Sequence, residues 1–312
     1  MKIVFFGTSS FAVGILESLV SSGHSIAAIV TRPDRPIGRN LKLTHSPVKE
    51  YALKFLPNIP LFEPEKASTD AFCETVKSFS PDLFLVVAYG EIIKQNLLSI
   101  PGKGCVNIHT SLLPEYRGAA PVRRCLMDGK TVSGVTFIEM VLKMDAGAVL
   151  KQETVSIPED MNFAELEETL LTLSKKILPE FLDNFDRYWS LRKEQDETKV
   201  SFAAKISPED CVIDWSNTAK VVRNQIRGLS PYPGVFIRIK FGEEIKRLKI
   251  LSAAICNEPV SKSGELYVDR AKIRISCSDG FLEPLWVQLE GKKAMKVDDF
   301  LRGVSKSFSL VS

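Results

Sequence analysis

The chain has 312 residues, 45% hydrophobic and 25% charged, with a formal net charge of +3. This is near the globular average and leaves room for a sizeable core and about two domains, while the charge is too small to announce a nucleic-acid protein by itself. No apolar run reaches the roughly 18 residues that span a bilayer, and "MKIVFFGTSS" enters a strand-like pattern without a signal-peptide cleavage site, so a cytoplasmic protein is expected.

The six cysteines (Cys73, Cys105, Cys125, Cys211, Cys256 and Cys277) form no C-x-x-C pair and have no histidine set nearby. Neither a disulfide framework nor a metal site is expected, and they read as small core residues. The charge is uneven: residues 201–312 hold 18 basic against 13 acidic side chains, +5, leaving −2 for residues 1–200. Within that first part, residues 32–49 carry five basic side chains (Arg32, Arg35, Arg39, Lys42, Lys49) against Asp34, a local +4. Two basic features on a near-neutral body can contact a polyanion; solvated surface charge is the plainer reading.

In chain order, "KIVFFG" (2–7) is a short apolar run closed by Gly, followed by "SSFAVGILESLVSSG", where Phe11, Ile15, Leu16 and Leu19 recur at helical spacing. "SIAAIVT" (25–31), "DLFLVVAYG" (82–90) and "GCVNIHT" (104–110) are again continuous apolar runs. Strands buried on both faces read this way, which predicts a doubly wound, Rossmann-like parallel sheet covered by helices. Ligands of such sheets bind outside the C-terminal strand ends, which places Tyr89, Gly90, Asn107 and His109 near a site. The first turn, "GTSSFA", lacks the second and third glycines of G-x-G-x-x-G, so no tightly bound nicotinamide or flavin is expected.

After "SGVTFIEMV" (133–141), the turn "KMDAG" and "AVLKQETVSI" predict a hairpin carrying Asp145, and residues 163–185 have helical periodicity. The polar "LRKEQDETK" (191–199) is the expected interdomain linker, ending near Lys205. This predicts a first domain over 1–205 including the linker and a second over 206–312. In the second, "DWSNTAKVVRNQIRGL" suggests a helix, and about five short strand candidates with Gly, Pro and Asn turns fit a small β-barrel of the oligonucleotide-binding kind.

The chemistry concentrates in "VNIHTSLLPEYRGAAPV" (106–122). Asn107 and His109, at i and i+2 of a strand, project from the same side. An amide N–H and an imidazole aimed at one developing oxyanion are what acyl or formyl transfer requires. A carboxylate that orients the histidine and takes a proton completes the set, and Asp145 is the best candidate. The plainer readings are a packing histidine at a strand end, a turn aspartate, and Arg117, Gly118 and Pro121 that only shape a loop and open a helix. As nucleophiles, Cys105 is about 13 Å along the strand from His109, and Ser111 lacks the G-x-S-x-G elbow.

"NIH", the following "SLLP", "YRGAAP" and an Asp in "MDAG" 36 residues after the histidine resemble the signature of the folate-dependent formyltransferases. The similarity runs end to end, through "FFGTSSFA", "TRPDRPIGR", "SPVK", "VVAYG", "DWS", "PYPG" and "GKKAM", to the branch of that family whose acceptor is initiator methionyl-tRNA. The resemblance implies that Asn107, His109 and Asp145 are catalytic, that Ser111, Leu112, Leu113 and Pro114 line a tetrahydrofolate site, and that Val87, Ala88, Tyr89 and Gly90 border its ring pocket. It implies that Arg35, Arg39 and Lys42 meet the tRNA acceptor end and that the C-terminal barrel grips the tRNA backbone. It further implies 10-formyltetrahydrofolate as co-substrate with no tightly bound cofactor, no membrane partner, and a monomer. Another formyl-folate transferase or hydrolase, or an RNA-binding relative without activity, are the alternatives.

Some positions depart from the family pattern. "DAGAVL" stands where many relatives look like "DTGDML", so Ala148 replaces an acidic residue, and Val141 and Lys143 stand where Asp and Gly are common. "GTSS" replaces "GTPD" or "GTPE", and "GRNLKL" has one basic residue fewer than "GRGKKL".

Overall fold

The computed structural model describes residues 1–37, 42–241, 243–269, 272–303 and 308–311. It divides into two compact units that interleave in sequence. Unit 1 holds Met1–Gly118, Ser133–Val155 and Glu167–Phe202; unit 2 holds Ala119–Val132, Ser156–Leu166 and Ala203–Ser312.

Unit 1 begins with β1 (Lys2–Gly7), α1 (Ser10–Ser21), β2 (Ser25–Val30), β3 (Arg35–Ile37), β4 (Lys42–Thr44), α2 (Pro47–Phe55), β5 (Leu61–Phe62), α3 (Asp70–Lys77), β6 (Leu83–Val87), α4 (Gln95–Leu98), β7 (Cys105–His109) and β8 (Arg117–Gly118). After α5 (Pro121–Met127) of unit 2, it resumes with β9 (Val132–Glu139), β10 (Val149–Ser156), α6 (Phe163–Asp183) and α7 (Phe185–Ser190). Seven strands form one sheet in the order β10-β9-β7-β6-β1-β2-β5. Pairing is parallel from β5 through β7. The apolar runs behave as their composition dictates, with Ile3–Phe6 and Leu83–Leu85 fully buried. Burial of each such side chain contributes about 1.5–3 kcal/mol.

Beyond β7 the sheet turns antiparallel, because β9 returns against β7 and β10 follows it as the next strand. The "KMDAG" turn therefore lies at the end of a hairpin, and Asp145 adopts a left-handed backbone, φ 49°. α1 starts at Ser9, whose hydroxyl accepts the Ala12 amide. Gly14 lets α1 approach Leu171 of α6, where a Cβ would fall 2.8 Å from the leucine methyls.

Unit 2 contains α5, the opening of α6, then β11 (Phe202–Ala203), α8 (Ala219–Leu229), β12 (Val235–Phe241), β13 (Glu244–Cys256), β14 (Leu266–Val268), β15 (Ile273–Ser276), β16 (Phe281–Leu289), β17 (Met295–Lys296), α9 (Val297–Gly303) and β18 (Phe308–Val311). Its strands run β14-β15-β16-β13-β12-β18, with β17 on β16, in a nearly closed antiparallel barrel. Along β12, Val235, Ile237 and Ile239 point inward while Arg238 and Lys240 are exposed, the alternation of a half-buried strand. α8 contributes Val222, Ile226 and Leu229 to the same core. α5 joins this unit through Gly228, where a Cβ would lie 2.7 Å from Met127 and 3.0 Å from the Arg123 carbonyl. Arg124 binds Asp210 through two 2.7 Å contacts and holds the Asp210 carboxyl below its ordinary range.

Among the described residues no helix is long and apolar enough to cross a membrane.

Candidate active site

The sheet register brings Gly7 level with Val87, and Val86 level with Asn107, so the C-terminal ends of β1, β6 and β7 share one edge of unit 1. Asn107 lies opposite Ile138 and His109 opposite Thr136 on the returning β9. The turn after β9 carries Asp145 back over that edge.

Asp145 Oδ2 accepts the Gly118 amide at 2.8 Å and lies 3.7 Å from His109 Nδ1, while Oδ1 is 3.5 Å from Asn107 Nδ2. His109 Nε2 is 2.9 Å from the Tyr116 carbonyl, an acceptor only, so that nitrogen carries a hydrogen and Nδ1 faces Asp145. The structure thus brings Asn107, His109 and Asp145 together. The imidazole is 7% and the carboxylate 15% exposed, which keeps the carboxylate within reach of a ligand from outside. The Asn107–Asp145 contact sits at the limit of a hydrogen bond, so the Asn107 amide retains donor capacity for another acceptor.

The segment after His109 is pinned by its backbone. Ser111 is buried, its hydroxyl donating to the Glu115 carbonyl at 2.7 Å and its own carbonyl accepting Thr136 Oγ1 at 2.6 Å. The Leu113 amide lies 3.3 Å from Thr136 Oγ1, and its carbonyl accepts Gln152 Nε2 at 3.0 Å. Leu113 is buried, Leu112 and Pro114 are half-buried, and the Leu113–Pro114 peptide is cis. At the neighbouring strand end, Val87 and Tyr89 pack inward, whereas Ala88 and Gly90, both in the left-handed region, are exposed. Thr8 Oγ1 donates to the Tyr89 carbonyl at 2.8 Å. Burial raises the Tyr89 phenol well above its ordinary range, with the Glu91 charge adding to the effect. Of this group, Val87 and Tyr89 offer core side chains and Ala88 and Gly90 offer backbone.

Burial pushes the Cys105 thiol up to about 12, with Glu139 adding to the shift. Its Sγ donates to the Leu98 carbonyl. A thiol so held is not a thiolate nucleophile.

Three of the five cations in the basic stretch 32–49, Arg32, Arg35 and Lys49, are paired with carboxylates of unit 1. Arg32 pairs with Glu91, Arg35 with Glu65 at 2.8 Å, and Lys49 with both Asp34 and Glu63 at 2.9 Å. The Lys49 and His45 contacts hold Asp34 below its ordinary value. Arg39 lies outside the described residues, and the backbone of Lys42 pairs with Ile37 in the β3–β4 hairpin.

Spacing alone did not reveal the Gly118 amide, the Tyr116 carbonyl, or Arg117 with Gln195. Arg117 is buried and donates twice to Gln195 Oε1, at 3.0 and 2.8 Å, and to Glu197 Oε1 at 2.8 Å. Lys143 pairs with the other Glu197 oxygen at 2.6 Å. Arg117 and Lys143 hold the Glu197 carboxyl at about 2. Ala148 is buried and its carbonyl accepts the Glu139 amide at 2.9 Å. No local pattern signals the Gly118, Lys143 and Arg117 contacts, because they come together across 27 to 80 residues of chain.

A family model described as formyl transferase matches residues 1–182, and one described as formyl transferase, C-terminal domain, matches residues 205–305. The chain is 42% identical over 309 residues to a protein of Protochlamydia amoebophila named methionyl-tRNA formyltransferase, covering 98% of this chain and 96% of that protein. It is 40% identical over 314 residues to one of the same name from Chlamydia muridarum, covering 100% and 99%. The solved structure of an N-formyltransferase from Helicobacter canadensis matches with a TM-score of 0.66 at 18% identity, over 91% of this chain and 98% of that one. That last likeness shows a shared fold.

Proposed function

This chain belongs to the formyl transferase family, with both its N-terminal and C-terminal models matched, and from that premise we propose that it transfers the formyl group of 10-formyltetrahydrofolate to the α-amine of initiator methionyl-tRNA. The observation that carries the reading is the convergence of Asn107, His109 and the Gly118 amide on the Asp145 carboxylate at the open edge of the sheet. The names of the full-length relatives supply the acceptor.

In this reading the amine nitrogen attacks the formyl carbon, and the former carbonyl oxygen gathers charge. The uncommitted Asn107 N–H stabilises that oxygen, and His109 does so through an Nδ1–H, which requires the imidazolium form because Nε2 already gives its hydrogen to the Tyr116 carbonyl. Asp145, one oxygen held by Gly118, accepts the amine proton through water and keeps the imidazole oriented. The carbon–nitrogen bond to folate N10 then breaks, N10 takes a proton, and tetrahydrofolate leaves. Donors already placed before charge develops cost no reorganisation, and one of them is worth about 2.7–4 kcal/mol in the barrier. The pinned Ser111–Pro114 segment and the outward backbone of Ala88 and Gly90 flank the folate; Arg39, Lys42 and the unit 2 barrel serve the tRNA. The tRNA acceptor puts the reaction in the cytoplasm. One chain carries all the named groups, so a monomer suffices.

The test is to incubate the protein with 10-formyltetrahydrofolate and methionyl-tRNA and to assay N-formylmethionyl-tRNA. Product formation is expected. Formate release without tRNA formylation, or binding of both substrates with no reaction, overturns the reading.

A further inference from the structure

We infer that Gln195, locked by Arg117, is a positioning residue for the reaction, acting through the backbone of the loop that carries Asp145. This rests on the formyl-transfer reading only in what it says about rate.

The left-handed backbone at Asp145 (φ 49°) is a conformation few L residues adopt and that Asp tolerates better than most. The conformation turns two carbonyls, of Asp145 and Gly147, toward one point. Gln195 Nε2 sits there and donates to both, at 2.8 and 2.7 Å. Its Oε1 accepts two N–H groups of Arg117. A primary amide has two donor hydrogens and one oxygen with two lone pairs, so every hydrogen-bonding position of Gln195 is filled, and a flipped amide would set its oxygen against the two carbonyls.

The segment around Gln195 is itself fastened within unit 1. Lys193 exchanges both backbone hydrogen bonds with Val149 on the far side of the loop, at 2.7 and 2.9 Å. Glu197 ties Lys143, two residues before Asp145, to Arg117. The Arg117 amide donates to the Ser201 carbonyl at 2.9 Å, and Ser201 Oγ accepts the Tyr116 amide at 2.9 Å. The same short strap therefore holds the Asp145 loop, Gly118's neighbour Arg117, and Tyr116, whose carbonyl fixes His109. A polar, exposed-looking stretch makes no core contribution that would explain so many directed bonds, whereas a carboxylate whose direction follows its backbone needs its own carbonyl fixed. Displacement of a reacting group by about 1 Å can cost on the order of a hundredfold in rate.

The discriminating variant is Gln195→Glu, which keeps an acceptor for Arg117 and deletes both donors to the loop. Measured with 10-formyltetrahydrofolate and methionyl-tRNA, it is expected to lower kcat on the order of tenfold or more while each KM moves less than about twofold. In an Asp145→Ala background the same change is expected to cost nothing further. An unchanged kcat, or an equal loss in both backgrounds, overturns the inference. Amide hydrogen exchange of residues 144–148 in Gln195→Glu, without substrates, is expected to accelerate while β1 and β6 stay protected; unchanged loop exchange overturns it too. A wild-type protein that forms no formylated tRNA refutes the formyl-transfer reading alone, and the exchange measurement still decides the strap.

Discussion

The Gly118 amide donates to Asp145 Oδ2 at 2.8 Å, leaving Oδ1 turned toward Asn107. A carboxylate held by one oxygen keeps its direction and still has lone pairs for a proton. Because Gly118 donates through its backbone N–H, every replacement except proline keeps the donor itself, and what a side chain there disturbs is the positive φ of 123°.

Replacing the donors tests the chemistry directly. Asn107→Ala and His109→Ala should each lower turnover on the order of a hundredfold or more, the loss typical of one oxyanion donor, with little change in tRNA affinity. Steady-state kinetics and a tRNA binding isotherm check this; near wild-type turnover in either variant removes that residue from the mechanism.

Gly147 should not accept a side chain. A Cβ there would lie 1.8 Å from the Glu139 carbonyl oxygen, a backbone atom that cannot swing aside. Gly147→Ala should therefore displace the loop, costing about 1–3 kcal/mol of stability and lowering turnover as well. Thermal unfolding and kcat measured on the same preparation decide it, and a variant matching wild type in both would contradict the packing.

Low pH should loosen the strap. Glu197 is held at about 2 in the folded protein against an ordinary 4.5, chiefly by Arg117 and then Lys143. A depressed carboxylate contributes stability that is complete above its unfolded value and lost as pH falls through the folded one. The advantage of wild type over Glu197→Gln in unfolding should be constant above about pH 4.5 and should shrink between there and pH 2. A difference independent of pH across that window would show that the charge plays no part.

The outer face of β12 and β13 should meet the tRNA backbone. Arg238 lies directly opposite Arg247, and Lys249 opposite Phe236. Arg247 stacks over the Phe236 ring at 4.7 Å, and Lys249 sits 5.8 Å from the Tyr232 ring centroid. No carboxylate among the described residues forms an ion pair with Arg238, Arg247 or Lys249. Facing like charges on a sheet are unfavourable for folding alone. Arg238→Ala should weaken tRNA binding and leave stability unchanged or improved. The slope of log K against log salt should become shallower by about 0.7–0.9 for each phosphate that the variant no longer neutralises. An unaltered salt slope would place the tRNA elsewhere.

Several elements were legible locally. The runs around Phe5, Ile29 and Leu85 announce strands buried on both faces because no polar alternation interrupts them, and i, i+2 spacing alone puts Asn107 and His109 on one side of β7. The +4 counted over residues 32–49 was less informative, since Glu65, Glu91 and Glu63 neutralise Arg35, Arg32 and Lys49 from outside the segment. Likewise the polar 191–199 stretch reads as a linker until its partners are seen, because a glutamine that holds two carbonyls has the same composition as one in water.

The sequence by itself determined the two architectures, the strand edge where chemistry is possible, and the residue types able to perform it, since each depends on short-range periodicity and side-chain chemistry. Only the tertiary structure decided that Asp145 meets Asn107 and His109, that α5 packs with the barrel rather than the sheet, and that Gln195 and Arg117 hold the carboxylate loop. Those relations join residues tens of positions apart through single hydrogen bonds and close contacts, and such bonds leave no periodic mark on the chain.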